Sequence, residues 1–241
     1  MDPPKHDEQR KAVQGVVAPP NLKELEGTIR SRAGDILDDL PLNKTFDWVD
    51  TVSIELTTQM LATLFDFPYH DRRKLTRWSD VVFARLGEGV IESDEQRINE
   101  LLECLDYFSK LWKERENDPS GNDFVSMMIR GDATRNLSPQ EYLGNILLLI
   151  VGGNDTTRNS ISGGVLALNQ HQREYQKLRE NPALIPNMVS EIIRWVTPLA
   201  HMRRTVTKDF EFRGQQMRAG EKVIMWYASG NRDERVIASP E

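Results

Sequence analysis

The sequence has few of the features that mark secreted, membrane-spanning or nucleic-acid-binding proteins. Its one cysteine, Cys104, excludes an internal disulfide framework and favours a reducing, cytoplasmic setting. No apolar run is long enough to cross a bilayer, since the stretch 146–151 is much too short. The N-terminal residues MDPPKHDEQR are polar and contain no secretory apolar region. The net charge of −6 argues against bulk binding of nucleic acid, which requires a basic surface.

What the chain does have is the composition of a globular protein, with 39% hydrophobic and 28% charged residues. Apolar residues recur at helical spacing over most of its length. The predicted helices cover 22–40, 47–65, 72–86, 91–116, 123–129, 139–169, 173–180 and 185–196. After Pro198 the pattern changes to short β-rich pieces separated by "RG" and "AG" turns. The sequence therefore predicts a mainly α fold with a small β region.

The longest predicted helix has a strong start and an unusual middle. Ser138 can cap it, Pro139 suits the first turn, and Glu141 follows three residues after the cap. Its middle reads LIVGGNDTTRNS, with two glycines and several polar residues inside an apolar element. One interpretation is a break between two helices, with Asp155 as the N-cap of the second. The other is a distorted helix that crosses a buried cofactor or substrate, with Asp155 and Thr156 handling protons.

Three further groups of residues are candidates for function. Glu191 and Arg194 are spaced to pair on one helix face among apolar neighbours, which indicates partial burial. His6 and Arg10 could present two donors to an anion, although the motif by itself favours a solvated terminal helix. Arg204 opens the β region and could bind a carboxylate, or it could belong to an ordinary basic edge strand.

Taken in order, these motifs resemble the cytochrome P-450 family of haem-thiolate monooxygenases. The order is His6-x-x-x-Arg10, then GGNDTT in a long helix, then Glu191-x-x-Arg194, then "RRTVTKDFEFRGQQMRAGEKV" and "NRDE". Within the family, "MDPPKHDEQRKAV" and "GGNDTTRNS" are most similar to the soluble bacterial alkane and fatty-acid terminal hydroxylases. The resemblance implies a partial family fold, from the C helix through the K helix and the β segments that follow.

The resemblance also implies roles for individual residues. The cofactor-binding residues would be His6, Arg10 and Arg204 toward the haem propionates, with Gly152 and Gly153 where the helix admits dioxygen. Thr156 would hydrogen-bond the iron-bound peroxo group, and Asp155 would relay protons to it. The walls of the substrate pocket would be Leu148, Val151 and Leu199. Glu191 and Arg194 would brace the segment that leads to the haem ligand.

The implied cofactors are heme b (iron protoporphyrin IX) and dioxygen, with electrons from NAD(P)H. The implied partners are a ferredoxin, a ferredoxin reductase and a small apolar substrate. The implied reaction is terminal hydroxylation of medium-chain alkanes or fatty acids.

The resemblance lacks one essential part, the cysteine that ligates the iron from a glycine-rich loop. Cys104 lies in an amphipathic helix and in the wrong motif, so it is predicted to be a small core residue. We therefore expect residues 1–241 to be an internal fragment of one domain, without the N-terminal segment and the haem-ligand segment, and to be inactive alone. Two alternatives remain: a non-catalytic helical interaction domain, and a family member that acts on sterols or terpenes.

Overall fold

The computed structural model describes residues 2–240, and most of them are helical. The helices are α1 (Lys5–Val13), α2 (Pro19–Asp38), α3 (Glu55–Phe65), α4 (Arg73–Phe83), α5 (Asp94–Arg115), α6 (Phe124–Arg130), α7 (Pro139–Gln170), α8 (Gln172–Glu180), α9 (Ile185–Val196) and α10 (Tyr227–Gly230). A π-helical turn, Val49–Ile54, leads directly into α3. The strands are β1 (His201–Thr205), β2 (Phe210–Phe212), β3 (Gln215–Met217) and β4 (Lys222–Trp226). The predicted mainly α class with a small β region is confirmed.

Side-chain caps explain several of the helix boundaries. At the start of α7, Glu141 N–H donates to Ser138 Oγ (3.3 Å), while Ser138 N–H donates to the Glu141 carboxylate (3.1 Å). This reciprocal pair satisfies two backbone donors that a helix start leaves unpaired. The Ser93 hydroxyl caps α5 by accepting from Gln96 N–H, and the Asp123 carboxylate caps α6 by accepting from the N–H groups of Val125 and Ser126. Such caps are local, and the sequence predicts the start of α7 correctly and that of α6 to within one residue, whereas it places the start of α5 three residues too early.

Two predicted helices differ in detail from the observed ones. The segment predicted as one helix over 47–65 begins with the π-helical turn before α3. The Thr57 hydroxyl donates to the Ser53 carbonyl (2.9 Å), and threonine bonds of this kind compete with regular helical hydrogen bonding. The helix predicted over 72–86 ends at Phe83, and Leu86 then forms an isolated bridge with Ile91.

The chain divides into two units, Met1–Arg158 and Asn159–Glu241, and the boundary falls within α7. The first unit has an aromatic core in which Phe65 lies 5.1 Å from Phe108 and 5.0 Å from Phe124 between ring centroids. Helix α7 packs on this core through Ile146 and Ile150, which are fully buried. Burial of each such side chain contributes about 1.5–3 kcal/mol.

The second unit contains the end of α7, helices α8 to α10 and two antiparallel strand pairs. Strands β1 and β4 pair from His201 opposite Trp226 to Thr205 opposite Lys222. Strands β2 and β3 form a separate hairpin. The predicted "RG" turn is present, since Gly214 between β2 and β3 has φ +76°. None of the helices among residues 2–240 has both the length and the apolarity needed to cross a bilayer.

Candidate functional site

Helix α7 runs through the GGNDTT segment without interruption. Residues 139–170 form one α-helix, so Asp155 is not the N-cap of a second helix and the predicted break is wrong. The Thr156 hydroxyl donates to the Gly152 carbonyl one turn earlier (3.2 Å). Two glycines cost the helix about 1 kcal/mol each relative to alanine, and tertiary packing outweighs that cost here.

Two faces of α7 differ sharply in the first unit. Tyr142, Ile146, Ile150 and Asn154 recur every fourth residue and are at most 7% exposed. On another face, Leu148 is 61% exposed and Gly152 is exposed as well.

A methyl group at Gly152 would meet no atom within 4 Å, whereas one at Gly153 would lie 2.7 Å from Leu61 Cδ2. The small size of Gly153 is thus required by packing against α3. The small size of Gly152 is not explained by any contact among residues 2–240. Leu148, Gly152 and Thr156 therefore form an open surface along α7, which we call the open face.

Asp155 lies beside the open face and takes part in an ion-pair cluster. Its carboxylate accepts from Arg158, whose guanidinium also lies 3.2 Å and 3.3 Å from Asp80 Oδ1 on α4. The side chain of Arg158 is 16% exposed, that of Asp155 25% and that of Asp80 35%. Burial raises the pKa of Asp155; Arg158 opposes this rise, and the negative charge of Asp80 adds to it. The result is a half-buried carboxyl group that holds a proton more tightly than an ordinary aspartate.

Helix α1 carries His6 and Arg10 and is fixed against the start of α7. Lys5 pairs with Glu141, and Gln9 accepts from the Asn145 side chain (3.3 Å). The Lys5 ammonium and the Ser138 cap lower the pKa of Glu141 to about 2. These contacts use one side of α1.

The two predicted donors lie on the neighbouring side of α1. His6 Nδ1 lies 2.9 Å from Asp7 Oδ1, and the side chain of Arg10 is exposed. Their binding role stays a prediction.

In the second unit, Arg194 connects α9 to the end of the chain. It donates to Glu191 (2.7 and 2.8 Å) and to the carbonyls of Asn231 (2.6 Å) and Pro240 (3.0 Å). The Arg194 bond lowers the pKa of Glu191. Because the side chain of Arg194 is only 16% exposed, the pair is more than a solvated surface contact. Its geometry suits the predicted bracing role.

The other predicted residues of the second unit are exposed. Leu199 is 43% exposed. Arg204 is exposed on β1, opposite Val223, and donates to the Arg203 carbonyl (3.0 Å). Val151, a predicted pocket wall in the first unit, is half-buried. The roles of these three residues stay predictions.

Cys104 is fully buried in α5. Burial raises the pKa of its thiol, so it is an inert core residue rather than an iron ligand. The described residues hold no group of three or more His, Cys, Asp and Glu side chains placed to bind a metal.

The sequence interpretation missed three residues of this region: Asp80, Asn154 and Arg158. Arg158 follows Asp155 by three positions, and this spacing could have indicated the pair. Asp80 lies 78 residues before Arg158 in the sequence, so no local pattern identifies it as a partner. Asn154 repeats the four-residue spacing of Ile146 and Ile150, which could have placed it on the buried face.

Comparison with known proteins identifies the class to which this fold and site belong. A family model described as Cytochrome P-450 matches residues 29–241, so the chain belongs to the cytochrome P-450 family. The solved structure of CYP153D17 from Sphingomonas sp. PAMC 26605 shares 49% identity at a TM-score of 0.91, covering 100% of this chain and 60% of that chain.

Two curated relatives match over the whole of this chain. Linalool 8-monooxygenase from Pseudomonas putida is 32% identical over 242 residues, covering 100% of this chain and 59% of the relative. Steroid C26-monooxygenase from Mycolicibacterium smegmatis (strain ATCC 700084 / mc(2)155) is 36% identical over 244 residues, covering 100% and 55%. The chain thus spans a little more than half the length of these two relatives.

The family implies a haem group, and part of the site fits one. The open face offers apolar surface at Leu148 and free space at Gly152, which suits a flat macrocycle. Arg10 in the first unit and Arg204 in the second unit are each exposed, and a guanidinium is a strong donor to a carboxylate such as a propionate. The axial thiolate of the family does not come from Cys104, because that side chain is fully buried. The residues present therefore fit the oxygen-binding side of the haem and not its thiolate side.

Proposed function

We propose that the protein is a haem-dependent monooxygenase that inserts one oxygen atom from dioxygen into a C–H bond, and that residues 1–241 provide its oxygen-binding side. The observation that carries this proposal is the position of Asp155, a half-buried carboxyl of raised pKa, beside the open face of α7. Haem, once bound with a thiolate ligand, supplies the activation of dioxygen.

The chain's own residues bind the cofactor and handle protons. Arg10 and Arg204 neutralise propionates, and His6 adds a further donor. Thr156 Oγ1, held by its bond to the Gly152 carbonyl, keeps a hydroxyl at the open face. The side chain of Asp155 is 25% exposed, so it exchanges protons with solvent and passes them toward Thr156. The apolar residues Leu148 and Val151 of the first unit exclude water from the reacting carbon.

The proposed substrates are medium-chain alkanes or fatty acids, hydroxylated at the terminal carbon. Support comes from the GGNDTTRNS motif, which resembles that of the soluble bacterial alkane and fatty-acid terminal hydroxylases. Terpenes or sterols are the second candidate class, because the two curated relatives are named for linalool and a steroid. The proposed electron donors are a ferredoxin and its reductase, fed by NAD(P)H. The proposed location is the cytoplasm.

The test uses the protein expressed with any coding sequence that flanks these residues. After haem titration, the reduced carbon-monoxide spectrum should show a thiolate-type Soret band. Octane, dodecanoic acid, linalool and cholesterol are then compared by binding spectra and product analysis, and ω-hydroxylated octane or dodecanoic acid is expected. Failure to take up haem would refute the monooxygenase assignment and favour an interaction domain. Turnover of linalool or cholesterol alone would refute the substrate class.

Variants of α7 test the two proton-handling residues. Asp155→Asn should slow product formation and change its solvent isotope effect, because the proton donor is lost. Thr156→Ala should divert reducing equivalents to peroxide, because the hydroxyl at the open face is removed. Thr157→Ala is the matched control, since Thr157 is an exposed neighbour on the same helix. Equal effects of Thr156→Ala and Thr157→Ala would contradict the assignment.

A further inference from the structure

Six polar side chains are buried where α3, the π-helical turn before it, α4 and α7 meet. Each of them is at most 7% exposed, and they are Ser53, Thr57, Thr58, Thr76, Ser79 and Asn154. Polar groups in a protein interior are costly unless each one has a hydrogen-bond partner. Most of this group, which we call the polar junction, satisfies that condition within the protein.

The exceptions are one atom of Asn154 and one of Ser79. Thr58 and Thr76 bond to each other at 2.8 Å, and the Thr57 hydroxyl lies 3.2 Å from Asn154 Oδ1. Asn154 Nδ2 and Ser79 Oγ are buried and have no hydrogen-bond partner among residues 2–240. The Thr57 hydroxyl also donates to the Ser53 carbonyl at 2.9 Å, so it could accept from the amide if the amide were turned. In the orientation observed, the nitrogen end of the Asn154 amide is left without a partner among the described residues.

The surrounding contacts place the segments that carry Asn154 and Ser79 beside each other. Thr57 contacts α7 at Asn154, while its neighbour Thr58 contacts α4 at Thr76. One turn beyond Asn154, Arg158 reaches Asp80, the residue next to Ser79. The segment 76–80 of α4 therefore runs beside the segment 154–158 of α7.

We propose that the polar junction binds one structural water molecule, held by the free end of the Asn154 amide and by Ser79 Oγ. A buried water forms about three hydrogen bonds to otherwise unsatisfied groups, and the junction offers an amide and hydroxyls for them. The water joins α4 to α7 next to the Asp80–Arg158 contact. This site does not depend on the proposed function, because it lies on the buried face of α7 and involves no cofactor.

The first test is a crystal structure of the protein at a resolution that shows ordered water. The expected result is a water peak within hydrogen-bond distance of both the Asn154 amide and Ser79 Oγ. A dry junction, or an Asn154 amide bonded at both ends to protein groups, would overturn the proposal.

The second test compares Asn154→Leu with Asn159→Leu by urea unfolding. Leucine has nearly the shape of asparagine, so the sign of the effect is informative. If one end of the amide is dry and unpaired, leucine removes a desolvation penalty and the variant is at least as stable as the wild type. If water is bound, leucine leaves the water and Ser79 without a partner, and the unfolding constant should rise about tenfold. Asn159 is exposed on the same helix and corrects for the change in helix propensity.

If the unfolding constant of Asn154→Leu is equal to or smaller than that of the control Asn159→Leu, the proposed water site is overturned. Ser79→Ala provides a milder variant that keeps the fold if Asn154→Leu does not. It should raise the unfolding constant about threefold, because the water keeps its other partners. An unchanged constant for Ser79→Ala would count against the proposed bridge.

Discussion

Replacing Arg158 by glutamine should destabilise the first unit in a pH-dependent way. The Arg158 guanidinium donates to Asp155 on its own helix and to Asp80 on α4, so one side chain neutralises two carboxylates. Glutamine keeps much of the side-chain length and removes the charge. Two carboxylates are then left near each other without a cation.

The magnitude follows from the burial of the three side chains. Exposed ion pairs contribute about 0–1 kcal/mol, whereas breaking a fully buried pair costs about 3–5 kcal/mol. The exposures of 16%, 25% and 35% lie between these limits. We expect Arg158→Gln to lower the free energy of unfolding by about 2 kcal/mol at pH 7. Arg173→Gln, on exposed α8, is the matched control and should change it by less than about 0.5 kcal/mol.

The pH dependence follows from the raised pKa of Asp155. The folded chain holds this proton more tightly than the unfolded chain, so stability falls as pH rises from the ordinary value of 3.8 to the raised value. Arg158 lowers this pKa and Asp80 raises it. Arg158→Gln should therefore raise the pKa of Asp155, and Asp80→Asn should lower it. The destabilisation by Arg158→Gln should shrink below pH 3.8, where Asp155 is protonated in both states.

Urea unfolding from pH 3 to pH 8 measures the stability, and carbon NMR of labelled aspartate carboxyls measures the pKa. The reasoning is refuted if Arg158→Gln loses the same free energy at every pH. It is also refuted if both variants shift the pKa of Asp155 in the same direction.

Four further substitutions test individual contacts by thermal or urea unfolding. Gly152→Ala should stabilise the chain by up to about 1 kcal/mol, because a methyl group there meets nothing within 4 Å. Gly163→Ala should instead lower the free energy of unfolding by about 1–2 kcal/mol, because its methyl group would lie 2.5 Å from the stiff side chain of Val196. Equal effects of Gly152→Ala and Gly163→Ala would contradict this packing. Ser138→Ala should cost about 1 kcal/mol through loss of the α7 cap, and a neutral result would show the cap to be dispensable. Arg194→Gln should cost about 2 kcal/mol and speed proteolysis of residues 231–240, which unchanged cleavage would disprove.

Helix positions could be predicted closely where local chemistry sets them. The start of α7 depends on Ser138 and Glu141, which are three residues apart and bond to each other through backbone and side-chain groups. The end of α9 depends on Thr197, which has φ +46° and precedes Pro198. Each of these signals lies within a few residues of the boundary that it determines.

The state of residues 152–157 could not be predicted, because long-range packing decides it. Intrinsic propensity favours a break at Gly152 and Gly153. Gly153 instead accommodates Leu61, which lies about ninety residues earlier. Asn154 is held by Thr57, 97 residues away, and contacts of this separation leave no local pattern in one sequence.

The GGNDTT motif combines residues that are required for different reasons. Gly153 is small because Leu61 packs against it, and Asn154 is polar because it faces the polar junction. Asp155 is an acid beside Arg158. Once these three contacts are accounted for, Gly152 remains without a packing reason, on the same open face as Thr156. The case for a bound group above α7 therefore depends on the open face and on the raised pKa of Asp155, and it does not require a break in the helix.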